Sequence, residues 1–155
     1  MPAPHHLIRV ESENPVNRGY IRGVDVERQE GIIARLEERW KSEFVYLGDY
    51  SFIDYIAIRD GLPRAFVEVI TRNYTLEKLD ELGGVWLKGE TYKTLLSVAM
   101  TPLSIRWHGA ILVMDLVDGL YWQEVTKMEV EDVELVDGRR GEFDPGVAVK
   151  NWISV

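Results

Sequence analysis

Two acidic side chains stand on neighbouring predicted strands, where carboxylates could bind a metal ion. Asp54 opens a predicted strand over Ile53 to Arg59, and Glu68 lies inside the next one, Ala65 to Arg72. The turn-forming residues 60–63 between them predict a hairpin, whose strands would lie about 5 Å apart. Asp54 and Glu68 therefore face each other if the hairpin register allows it.

A facing pair of carboxylates favours a divalent cation between them. Like charges raise each other's pKa, and partial burial removes water from the charged groups, so a bare pair is unstable. Mg²⁺ or Mn²⁺ accepts one or two carboxylates together with water and phosphate oxygens. Glu68 interrupts an apolar run, which favours this interpretation. The alternative is that Glu68 faces solvent from a half-exposed strand, as strict alternation permits.

The apolar pattern predicts an α/β fold in which a mixed β-sheet is flanked by helices. Helices are predicted at 25–41, 76–82 and 90–100, a central strand covered on both faces at 110–114, further strands at 44–47 and 120–125, and two weak strands at 133–136 and 147–152. We divide the chain into an irregular N-terminal arm (1–24), a core (25–125) and an acidic C-terminal β extension of the same domain (126–155).

Composition excludes several classes of site. The 155 residues contain no cysteine, which removes disulfides, thiolate zinc sites and cysteine nucleophiles. We find no apolar stretch of membrane-spanning length, no visible secretory signal, no Gly-rich phosphate loop and no Ser–His–Asp motif. We therefore expect a cytoplasmic protein without a membrane partner. The net charge of −8 is unfavourable for phosphate binding, although only the last third is strongly acidic, which is compatible with a locally basic cleft.

The stretch Asp54-Tyr-Ile-Ala-Ile-Arg-Asp-Gly-Leu-Pro-Arg-Ala-Phe-Val-Glu-Val-Ile-Thr-Arg resembles the core of the PD-(D/E)xK nuclease superfamily. Its closest similarity is to small phage-encoded members related to Holliday-junction resolvases. The predicted elements of residues 25–125 follow the order of that family. The resemblance implies a restriction-endonuclease-like core (α-β-β-β-α-β) and Mg²⁺- or Mn²⁺-dependent hydrolysis of DNA.

The same resemblance assigns residue roles. Asp54 and Glu68 would bind the metal, together with the backbone carbonyl of Val69. Glu30 would be the glutamate of the first helix, with Glu37 as the alternative for that position.

The lysine of the family motif is missing, because position 70 is isoleucine. Isoleucine has no donor, acceptor or charge with which to orient water or steady a phosphate. Lys88 and Lys93 are candidates for a lysine supplied from later in the chain. Arg72 is an unsuitable base because a guanidinium does not deprotonate in proteins.

Two functions therefore stay open. The first is a metal-dependent DNA endonuclease, favoured by the presence of both Asp54 and Glu68. The second is a catalytically degenerate protein of the same fold that serves as a binding or phage assembly module, favoured by Ile70 and the net charge. Expected partners are DNA, a second copy of the chain (by resemblance) or phage particle proteins, in the host cytoplasm if the chain is phage-encoded.

Overall fold

A computed structural model of the chain describes residues 6–10, 23–48, 51, 53–137 and 143–155. Within these ranges the fold is mixed α/β, with helices packed on a mixed β-sheet, as the sequence predicts. The helices are α1 (Gly23–Trp40), α2 (Leu76–Glu81) and α3 (Gly89–Ala99). Of the helices described, none has the combined length and apolar character needed to cross a membrane.

Ten strands form two sheets within the described ranges. They are β1 (His6–Val10), β2 (Glu43–Tyr46), β3 (Tyr55–Arg59), β4 (Leu62–Thr71), β5 (Val85–Lys88), β6 (Ala110–Leu116), β7 (Gly119–Glu124), β8 (Val130–Asp137), β9 (Phe143–Val149) and β10 (Ile153–Ser154). The larger sheet has the order β10-β7-β6-β4-β3-β2, and the smaller has the order β1-β8-β9-β5. In the larger sheet β4 and β6 run parallel, while the other neighbours are antiparallel. A parallel pair requires a long crossover, which α2, β5 and α3 supply.

The predicted hairpin is formed by β3 and β4. Asp60 and Gly61 connect the strands with backbone φ angles of 53° and 74°. Positive φ at both central residues is typical of the two-residue turn whose twist matches that of the strands, and aspartate and glycine are favoured there. The strand begins at Tyr55, so Asp54 precedes β3 rather than opening it.

The larger sheet is covered on both faces. On one face α1 packs on the sheet through Leu36, which lies against Val67 and Val113. On the other face Leu112 joins a cluster that also contains Leu95 of α3 and residues of β5 and β9. The central strand β6 is therefore buried on both sides, as predicted, and the two sheets share an apolar core.

Several elements differ from the sequence prediction. A strand, β1, lies in the segment expected to be irregular and pairs with β8; residues 1–5 and 11–22 of that segment lie outside the described residues. The C-terminal strands β8 and β9 leave the main sheet to form the smaller one with β1 and β5, and β5 itself was not predicted. Strand partners are set by contacts between distant segments, which a local pattern does not contain.

Leu36→Ala should lower the free energy of unfolding by about 2–5 kcal/mol, because Leu36 has no exposed surface and its truncation leaves a cavity under α1. Leu103 is 46% exposed and provides the control, since Leu103→Ala should change stability by less than about 0.5 kcal/mol. Urea unfolding measures both variants. Equal losses for the two would contradict the packing of α1 described above.

Candidate functional site

Asp54 is held against β4 by a hydrogen bond to the backbone. Tyr55 pairs with Val67 in the hairpin, so the next opposing positions are Asp54 and Glu68. Asp54 Oδ2 accepts a hydrogen bond of 2.9 Å from the N–H of Val69. Because β3 begins at Tyr55, its backbone does not pair with this N–H, and the Asp54 side chain accepts the hydrogen bond instead. The carboxylate is thereby fixed at Val69, the residue next to Glu68.

The carbonyl of Val69 faces the same side of β4 as Asp54. The N–H groups of Phe66 and Arg72 donate to the carbonyls of Gly109 and Asp115, on the β6 side. Because backbone direction alternates along a strand and a residue's N–H and C=O point to the same side, both groups of Val69 point away from β6. The Asp54 carboxylate and the Val69 carbonyl therefore lie on the same side of β4, near the start of β3.

Glu68 is buried, with only 2% of its surface exposed. It lies between Phe66 and Ile70, whose side chains belong to the apolar layer on the face opposite α1. The alternative prediction, that Glu68 faces solvent from a half-exposed strand, is therefore wrong. An acid in the interior of a strand needs compensation for lost hydration, which distinguishes this position from an ordinary surface glutamate.

Glu30, which is exposed on α1, affects the charge environment of Tyr55. Burial of the Tyr55 ring raises the pKa of its hydroxyl above the usual value of 10.0, and the negative charges of Asp54 and Glu30 raise it further. A hydrogen bond with the Gln29 side chain acts in the opposite direction. The electrostatic influence of both carboxylates on one hydroxyl places Glu30 and Asp54 at the same end of the sheet.

An ion pair orients the start of α1 over this end of the sheet. Arg28 Nε lies 2.7 Å from Asp115 Oδ2, and Asp115 is buried at the end of β6. A charge-assisted hydrogen bond of this length restrains both side chains. Since Arg28 precedes Gln29 and Glu30 on the same helix, the pair fixes the part of α1 that carries those two residues.

The structure does not bring every predicted residue to Asp54. Glu37, the alternative helical glutamate, accepts a 3.0 Å hydrogen bond from the N–H of Phe44, at the other end of α1. Lys88 ends β5 and Lys93 lies on α3; both are exposed. In the part of the chain that the structure describes, neither lysine forms an ion pair with Asp54 or Glu68.

The donors at the end of β3 fit a hard cation that keeps much of its water. Two carboxylates and a carbonyl are oxygen ligands of the kind that Mg²⁺ and Mn²⁺ use in proteins. Among the described residues no group of three or more His, Asp or Glu side chains could hold a metal ion. Glu30 therefore does not join Asp54 and Glu68 as a ready third ligand, and a bound ion would depend on the pair, Val69 and water.

The sequence analysis missed Tyr55, Gln29, Arg28 and Asp115. A signal for Asp115 was available, because it interrupts the apolar run 110–116 just as Glu68 interrupts its own run. Nothing in the local pattern indicates that Arg28 reaches Asp115, since the two residues are separated by 87 positions.

No protein-family model, curated protein or solved structure matches the chain. The relation to the PD-(D/E)xK superfamily and the restriction-endonuclease-like topology therefore stay predictions.

Asp54→Asn should lower the pKa of Tyr55, because it removes the larger of the two charge contributions to that pKa. The value should stay above the usual one, since burial is the main cause. The pH dependence of tyrosinate absorbance measures the change, with Tyr55→Phe identifying the signal. In the wild type, the raised pKa gives stability that is complete below pH 10.0 and is lost as pH rises through the pKa of folded Tyr55. If the pKa of Tyr55 were unchanged in Asp54→Asn, the Asp54 carboxylate would not act on the Tyr55 hydroxyl, which would contradict the arrangement described above.

Proposed function

We propose that the protein is a divalent-metal-dependent DNA endonuclease of the PD-(D/E)xK type. Asp54, Glu68 and the carbonyl of Val69 would hold one Mg²⁺ or Mn²⁺ at the end of β3. A cation bound there supplies positive charge that activates water and stabilises the phosphate as negative charge develops. Glu30 would act from α1 by orienting water or a second group beside Tyr55.

The hydrogen bond between Asp54 and Val69 carries this proposal. This bond fixes the Asp54 carboxylate beside the backbone of β4 through Oδ2, and Oδ1 takes no part in it. The adjacent residue, Glu68, is an acid that the fold keeps away from solvent. Like charges directly opposite each other on a hairpin repel, and a divalent cation between the two acids would offset that repulsion.

The order of elements gives secondary support. Residues 23–116 run helix, strand, hairpin, crossover with two helices, and parallel central strand, in the order that the resemblance implies. The crossover also contains β5, which belongs to the smaller sheet. The ammonium group that steadies the phosphate would come from Lys88 at the end of β5 or from Lys93 on α3. One of these two side chains would have to reach the site when DNA binds.

Asp54→Asn and Glu68→Gln should each reduce cleavage of DNA by at least about 100-fold, a loss of about 3 kcal/mol of transition-state stabilisation. Both changes remove a charge and keep the shape, so the amide of residue 54 can still accept from Val69. Plasmid, branched and single-stranded DNA are incubated with Mg²⁺ or Mn²⁺. Asp80→Asn and Glu77→Gln, at exposed positions of α2, are the matched controls and should cut normally.

Metal binding is measured independently of cleavage. At Mn²⁺ ten times above its Kd, the wild type should gain about 1.4 kcal/mol and melt about 3–5 °C higher. The two variants at the acid pair should lose this rise and the α2 variants should keep it. Absence of both cleavage and a melting shift in the wild type would overturn the proposal.

A second function is favoured by the surroundings of Ile70. This side chain packs against apolar clusters of the layer opposite α1, at the position where the family motif has lysine. A chain with this substitution would serve as a binding or assembly module with a degenerate site. Such a protein would not cut DNA, and Ile70→Lys would gain metal-dependent cutting. Cleavage by the wild type that Asp54→Asn abolishes would exclude this second function.

A further inference from the structure

A cleft of about 420 Å³ lies at the C-terminal end of α1, away from Asp54. Its floor is the sheet face formed by Ala57, Ala65 and Ile111, and its walls include Trp40 and Trp122. The volume falls in the range of about 300–1,000 Å³ that is usual for small-molecule sites. Small alanine side chains on β3 and β4 leave the space that larger residues would fill.

Positive charge is concentrated around this cleft although the chain as a whole is acidic. Arg39, Lys41, Arg59 and Arg64 line it, against one carboxylate, Glu124. Lys127 Nζ lies 3.3 Å from one oxygen of that carboxylate and offsets its charge, and His108 Nδ1 lies 3.8 Å from the other oxygen.

Three of the four cations are available to a ligand. Within the described ranges of the chain, Arg39, Lys41 and Arg59 form no salt bridge, and all three are exposed. Arg64 differs, because it is mostly buried, lies 3.4 Å from Asp60 and donates from Nε to the carbonyl of Arg59. These contacts hold the Arg64 guanidinium at the side of the cleft.

Aromatic rings give the cleft a second kind of recognition. Trp40 and Trp122 meet edge to face with ring centroids 5.7 Å apart, and Phe44 stacks behind Trp40 at 6.1 Å. Both tryptophans are half-buried and both line the cleft. Rigid aromatic surface next to guanidinium groups suits a ligand that carries a planar ring and an anion, because bases stack on such rings and arginine binds phosphate oxygens in pairs.

We propose that this cleft binds a nucleotide phosphate, with the base against Trp40 and Trp122 and the phosphate between Arg39, Lys41 and Arg59. The nucleotide is either free or a unit of a nucleic-acid strand, since both present the same chemistry. The site is separate from the acid pair: the cleft residue Ala65 and Glu68 are three residues apart on β4, about 10 Å, and their side chains lie on opposite faces of the sheet. Binding here needs no metal, so it does not rest on the proposed endonuclease activity.

The test uses the full chain in EDTA, with nuclear magnetic resonance of the tryptophan indole N–H groups. A deoxynucleoside monophosphate, a short single-stranded oligonucleotide and inorganic phosphate are titrated separately. We expect the resonances of Trp40 and Trp122 to shift with either nucleotide probe, and Trp86 and Trp152 to stay unchanged. Trp40→Phe and Trp122→Phe assign the signals.

Charge-reversal variants distinguish nucleotide binding in the cleft from nonspecific electrostatic attraction to the protein surface. Arg39→Glu and Arg59→Glu should each weaken binding at least about tenfold, because each removes a charge-assisted contact and adds repulsion. Lys78→Glu makes the same charge change on α2, where Lys78 is paired with Glu81, and should bind as the wild type does. Asp54→Asn should also bind normally, which keeps this test independent of the acid pair.

The probes also identify the source of the nucleotide. Equal affinity for the monophosphate and the oligonucleotide supports a free nucleotide, and much tighter binding of the oligonucleotide supports a strand. In the strand case affinity should fall steeply with salt. The proposal is overturned if no probe shifts Trp40 or Trp122, if inorganic phosphate binds as tightly as the monophosphate, or if Lys78→Glu weakens binding as much as Arg39→Glu does.

Discussion

The bond from the N–H of Val69 to the carboxylate of Asp54 fixes the geometry of the candidate site. Strand β3 begins at Tyr55, whereas β4 extends beyond Val67, the residue that pairs with Tyr55. The N–H of Val69, which points away from β6, would otherwise have no partner in β3. A short acidic side chain satisfies this donor from the position just outside the strand. The same bond directs a negative charge to the sheet edge and sets it beside Glu68. One requirement of backbone hydrogen bonding thus becomes the organising contact of the candidate site.

The position of β4 in the fold explains why Glu68 is buried. This strand is shared by an antiparallel hairpin with β3 and a parallel pair with β6, and it is covered by α1 on one face and by the α3 layer on the other. Its side chains therefore have little access to water on either side. Ile70 suits such an environment better than a lysine would, because burial of an unpaired ammonium is unfavourable. The packing that keeps water from Glu68 thus also favours an apolar residue at position 70.

Helix α1 separates two regions of opposite chemistry. Near its beginning, Arg28 pairs with Asp115 and leaves Glu30 beside Tyr55 and Asp54. At its end, Arg39 and Lys41 join cations of the β3–β4 hairpin around two tryptophans. The net charge of −8 is an average that conceals this arrangement. For a protein that binds DNA, an acidic end for a cation and a basic end for phosphate would be complementary, and both depend on the same helix packing on the same sheet.

The sequence by itself determined most of the local elements, though not β1 or β5, and indicated Asp54 and Glu68 as neighbours. Alternation placed Val67 and Ile70 on opposite faces, Asp60-Gly61 required a tight turn, and the run 110–114 required a strand covered on both faces. These features depend on neighbours in the chain, so a pattern of residues is sufficient to predict them. The tertiary structure decided the rest: that β1 joins β8, that Arg28 reaches Asp115, and that Arg39 and Arg59 line one cleft. Each of these joins segments far apart in the chain, and only the shared burial of their apolar faces determines which segments meet.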